Sequence, residues 1–206
     1  MPFENNVFIN CPFDQKFKKF LEPILFTVIY CDFNPLISQT SDSGSTRLNN
    51  IIDLIKNSKY SIHDLSRNQA KQAGEISRFN MPFELGIDIG IRNSGIDHYN
   101  GKKCLILDIK RYQYQAALSD ISGNDIEIYY ESVQELIRVV RNWLSIHNKK
   151  IRMGPRLIYE NFREFEVHLF ETLSMDGFSE KDIKWLPKGE FIILAKEWIR
   201  SRKAGK

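Results

Sequence analysis

Compact apolar runs alternate along this chain with stretches where hydrophobic residues return every three or four positions. Asn6 to Asn10 (NVFIN) reads as a first strand, and Phe17, Phe20, Leu21, Ile24, Leu25, Val28 and Ile29 then mark a helix that Pro23 can kink. Asp32 to Ile37 is a weaker strand; Ser45 or Thr46 can cap the helix that follows, whose Leu48, Ile51, Ile52 and Ile55 predict one buried face. Lys59 to His63 is a short buried strand. It leads into about fifteen polar residues, a length at which loops are usually functional or disordered. The pattern then predicts a helix over 81–93, with Pro82 tolerated in its first turn. Lys102 to Asp108 (KKCLILD) is a continuous apolar strand of the kind parallel sheets bury, and Ile126 to Tyr130 is a fifth. Val133, Leu136, Ile137, Val140, Trp143 and Leu144 define the helix after it.

Strands and helices alternating in this order imply an α/β fold, a doubly wound and mostly parallel five-stranded sheet of the flavodoxin-like kind with right-handed crossovers. It occupies residues 1–148. The polar stretch 147–155 (HNKKIRMGP) reads as a linker, and 149–206 as a small helical appendage of two amphipathic helices, one with Phe162, Phe165, Leu169, Phe170 and Leu173, the other with Phe191, Leu194, Ala195, Trp198 and Ile199. No internal repeat or low-complexity tract interrupts the chain.

At 206 residues and 42% hydrophobic content the chain can fold alone around a packed core. A formal net charge of +3 falls far short of a nucleic-acid footprint, so nucleic acid is not expected as a partner. Cys11, Cys31 and Cys104 are odd in number and lack C-x-x-C spacing, which points to reduced thiols in a cytoplasmic setting. Neither a secretory leader nor an apolar run long enough to cross a bilayer is read from the sequence, so membrane insertion is not expected. The histidines show no metal-ligand spacing; no metal is expected, and His63 reads as a satisfied core residue.

Two acids carry the chemical interest. Asp64 stands where the third strand runs out, at the carboxyl edge where open α/β sheets bind ligands, and Glu84 is expected in the first turn of the next helix, favoured there by the helix dipole. Together in one cleft they would suit cleavage of a sugar-to-base bond. The transition state is oxocarbenium-like, so a carboxylate against the anomeric carbon stabilises or attacks it, and a second can bind the ribose or raise the first's pKa. With no obvious acid partner, a cationic leaving group such as the nicotinamide of NAD is favoured over a neutral purine. Each acid also has a plain alternative, Glu84 as an ordinary first-turn residue after Asn80 and Asp64 as the start of an Asx-turn.

Around them, Asn10 at the end of the first strand could meet a ribose or phosphate oxygen. Ser41, Asp42 and their neighbours, with Arg47, could face a phosphate near a helix N-terminus, although the segment has no Walker or G-x-G-x-x-G pattern. Arg67 and Arg78 bracket the long loop, where guanidinium groups could clamp a pyrophosphate. Ser66 and Asn80 complete the candidate substrate-binding set.

These residues resemble the nucleoside 2-deoxyribosyltransferase-like family and its TIR-like NAD-hydrolysing relatives. The likeness lies in Val7 to Asn10, Arg47 with Ile51 to Lys56, Asp64-Leu65-Ser66 and Phe83-Glu84-Leu85-Gly86, within residues 6–130. It implies a Rossmann-like domain in which Glu84 is the glycosidic nucleophile or stabiliser and Asp64 a sugar-binding or catalytic carboxylate. It further implies a nucleotide as the small-molecule partner and substrate, no separate cofactor, and a place in bacterial antiviral defence. Two departures bear on the substrate, the Asn10-Cys11-Pro12 turn and a longer, more basic loop before Glu84; both suit a nucleotide or dinucleotide better than a bare nucleoside. Homo-oligomer formation stays open. So do two other classes: a module that senses a nucleotide without cleaving it, and a protein-interaction domain anchored by Trp185 and Trp198.

Overall fold

A computed structural model describes residues 3–38, 46–67, 79–116, 118–121 and 123–204. Five parallel strands form one sheet: β1 (Asn6–Asn10), β2 (Asn34–Leu36), β3 (Tyr60–Asp64), β4 (Lys103–Asp108) and β5 (Ile126–Ile128), in the order β2-β1-β3-β4-β5. This is the doubly wound α/β sheet that the alternating pattern predicts, and the order reverses between β1 and β3. Both edge strands are shorter than expected. Pro35 has no N–H to give a ladder and is tolerated at the edge of a sheet, where β2 lies. β5 stops short of Tyr130 and Glu131, whose φ angles of 50° and 54° turn the chain away from the sheet.

The helices are α1 (Lys18–Tyr30), α2 (Arg47–Lys56), α3 (Asn80–Arg92), α4 (Asp97–Asn100), α5 (Val133–His147), α6 (Pro155–Met175), α7 (Glu180–Lys184) and α8 (Lys188–Ala204). The alternation of side chains along each strand sends Val7, Ile9, Tyr60, Ile62, Leu105 and Leu107 to a core shared with α1 and α5. Phe8 faces the other way, toward Ile51 and Ile55 of α2, and Ile106 packs with Met81 and Leu85 of α3. Two helices thus cover each face. Only Ile51 and Ile55 of α2 are buried. Leu48, expected beside them, is exposed because it lies in the helix's first turn, beyond the reach of the sheet.

α1 runs unbroken through Pro23 and is buried nearly all round, because α6 and α8 close over the side that the sheet leaves uncovered. Phe26 stacks on Phe165 with ring centroids 5.4 Å apart and meets Phe162 and Trp198 edge-on or tilted. Phe162, Phe165, Leu173, Phe191, Ala195 and Ile199 therefore join the same hydrophobic cluster as the central strands. Residues 148–154 are tied down as well, since the Arg141 guanidinium donates to the carbonyls of Met153 and Ile151. Trp198 is 8% exposed, an internal residue rather than the surface anchor considered above; Trp185 is 61% exposed. Among the described residues no helix is long and apolar enough to cross a membrane.

Candidate active site

Of the candidate residues, Ser41, Asp42 and Arg78 lie outside the described residues. The others fall around the carboxyl edge of the sheet, but the two acids do not meet. Strand alternation turns His63 toward α3 and Asp64 the opposite way, toward α1 and α5, where Tyr129 packs on Phe20. Glu84 rides on α3, across the sheet. One residue lies between them: the Cys11 thiol, buried just past β1, is within electrostatic reach of both carboxyls, and burial pushes its pKa up, as befits a packed thiol.

Asp64 is fully buried. One carboxyl oxygen accepts from the backbone N–H of Ser66 at 3.0 Å and from the Ser66 hydroxyl, the Asx-turn named above as the plain alternative. The nearby Tyr129 hydroxyl also interacts with the Asp64 carboxyl and with Ser66, which works against the effect of burial on Asp64. Burial raises Asp64 to about 6, and Asp108 at the end of β4 rises to about 6 by burial and by the charge of Asp64. Ser66 is thus turned inward rather than offered to a ligand. Arg67 is likewise engaged, its guanidinium pairing with Asp14 at 3.0 Å instead of standing free as a phosphate clamp.

Glu84 sits one turn inside α3 rather than in its first turn, because the helix already begins at Asn80. Asn80 itself is exposed and does not cap it. The helix buries Met81, Glu84, Leu85 and Asp88 as one face, while Phe79 and Phe83 point outward at 64% and 57% exposure. Glu84 is 5% exposed, and its carboxyl has no hydrogen bond or ion pair among the described residues. Burial lifts it to about 7, against which the positive charge of Arg47, the first residue of α2, acts in the opposite direction. Asp64 is not among the causes, so the expected mutual elevation of two acids does not occur.

Asn10 points inward. Its Nδ2 donates to the Met81 carbonyl and approaches His63 Nδ1, both at 2.9 Å. His63 Nε2 lies 3.0 Å from Asp88 Oδ2, which also accepts from the Ser61 hydroxyl, and Lys102 Nζ pairs with Asp88 Oδ1 at 3.1 Å. Lys102 in addition donates to the carbonyls of Ile55 and Ser58. This network makes His63 the satisfied core residue expected. Asp88 and Lys102, absent from the expected set, complete this network; the signal for Asp88 is its place four residues after Glu84, which puts both on one helix face. Lys102, expected as the first residue of the fourth strand, lies just before β4. Among the described residues no cluster of three or more His, Cys, Asp or Glu is placed to hold a metal.

No family model, curated protein or solved structure matches the chain in comparisons with known proteins.

Proposed function

We propose that the protein is a nucleotide N-glycosidase that hydrolyses the bond between ribose and base in NAD or a related nucleotide, with Glu84 acting at the anomeric carbon. The observation that carries this reading is the Glu84 carboxyl: shielded from solvent, without a partner among the described residues, and set on the helix beside the point where strand order reverses. A carboxyl left unpaired in such a place is poorly explained by stability, since burial raises the cost of its charge.

In its ionised form Glu84 would stabilise the oxocarbenium ion or form a transient ester as the C1′–N bond breaks. The bonding pair leaves with the base and neutralises a cationic nicotinamide ring, so no acid is needed opposite Glu84. Water then supplies the new bond to C1′ and releases a proton. Arg47, exposed and close enough to act on Glu84, offers a guanidinium for a substrate phosphate. Asp64 is outside this scheme; it shapes the β3 exit from within.

Incubating the full chain with NAD and a panel of nucleotides, followed by chromatography for free base, tests the proposal. Base release that disappears in Glu84→Gln supports it. Binding without release would mark a nucleotide-sensing module, and release that survives the substitution would remove Glu84 from the chemistry.

A further inference from the structure

α3 is a weak helix by composition. Gly86 and Gly90 lie in its interior, each costing about 1 kcal/mol relative to alanine, and at neither would an added Cβ meet another atom within 4 Å. The glycines are therefore not there to admit a close neighbour, and where this helix sits depends on what grips it. Two grips stand on the buried face, on either side of Glu84. Three residues before it, the Met81 carbonyl accepts from Asn10 at 2.9 Å; four residues after it, Asp88 is held by His63, Ser61 and Lys102. Asn10 joins them through His63 Nδ1, so β1, β3 and the residue before β4 hold α3 through one connected network.

The network also fixes the roles of its members. The two hydrogens of the Asn10 amide serve Met81 and His63, so its orientation cannot be reversed without setting two oxygens against each other at the Met81 carbonyl. His63 Nδ1 must then accept, which leaves its Nε2–H to donate to Asp88. Asn10 Oδ1 remains buried without a partner among the described residues, which is consistent with the amide being held for its donors.

We infer that Asn10 and His63 are positioning residues for Glu84, clamping α3 by Met81 and Asp88 so that the carboxyl between them stays in its shielded place. This rests on the reading of Glu84 given above and replaces the ligand-binding role expected of Asn10. Loss of the Asn10 clamp frees the first turn, admits water to Glu84 and moves its titration toward that of an ordinary glutamate.

The test is a pH titration of the Glu84 side chain by carbon NMR, assigned by its absence in Glu84→Gln, in the wild type, in Asn10→Ala and in Asn10→Ala combined with Gly86→Ala. A downward shift of about one unit in Asn10→Ala is expected. Gly86→Ala should recover thermal stability in the double variant and leave the shift in place, because helix propensity does not restore the clamp. An unshifted Glu84 in Asn10→Ala overturns the inference, as does a shift that Gly86→Ala abolishes. Asn10→Ser, which keeps one short donor, provides the same comparison should the alanine variant fail to fold. The titration requires no turnover, so loss of the enzymatic reading, seen as absent base release, is separate from loss of the positioning role.

Discussion

Glu84 and Asp88 are two acids one turn apart on the same buried face of α3, each 5% exposed or less, and their carboxyls titrate in opposite directions. Burial acts to raise both. For Asp88 it is outweighed by the hydrogen bonds from His63 and Ser61 and by the positive charge of Lys102, which hold the group down at about 2; for Glu84, among the described residues, Arg47 opposes it and the group still rises to about 7. Burial alone therefore does not decide what an acid is for. The paired acid is an anchor; the acid without a partner among the described residues is the one to which the proposed function assigns chemistry.

Exchanging the two roles should fail in different ways. Glu84→Gln is expected to lower base release by roughly 10³-fold or more while leaving the fold intact, measured by initial rates alongside circular dichroism. Asp88→Asn should act first on stability, leaving Lys102 buried without its counter-charge and costing about 3–5 kcal/mol in urea unfolding. Their pH dependences should diverge too. The folded pKa of Glu84 is raised, so its contribution is fully present below 4.5 and is lost as pH rises toward about 7, a decline of roughly 3 kcal/mol that Glu84→Gln should remove. The depressed pKa of Asp88 contributes above 3.8 and is lost as pH falls toward about 2, worth about 2 kcal/mol, which unfolding curves from pH 5 to pH 2 with and without Asp88→Asn would read. Base release, in contrast to stability, should increase as pH rises through about 7, since the proposed reaction requires the ionised carboxylate. The smallest effect is Gly86→Ala, a gain of about 1 kcal/mol in unfolding free energy that touches neither acid.

The sheet was legible because buried parallel strands are continuous apolar runs, and Asn6–Asn10 was bounded correctly by the polar residues on either side. The ends of β2 and β5 were less so: they depend on Pro35 lying at an edge and on positive φ at Tyr130 and Glu131, neither of which hydrophobic periodicity encodes. The prominence of Glu84 was also readable. Its separation from Asp64 followed from strand parity, since His63 and Asp64 must point to opposite faces, and counting outward from the alternating β3 residues would have revealed it. The Asn10–His63–Asp88–Lys102 network was hidden for another reason. It joins residues 10, 63, 88 and 102, and nothing local marks polar groups that find one another only once three strands and a helix are assembled.

The aromatic packing of Phe26 between Phe162, Phe165 and Trp198 bears on how the molecule can be cut. Cleavage near residue 149 would strip a helix already committed to the sheet of its outer covering and leave rings facing water, a surface prone to self-association. Heating should accordingly melt both ends of the chain in a single cooperative event, and reagents or fusion partners that must spare the Glu84 edge are better attached to the exposed side of α6 than substituted for it.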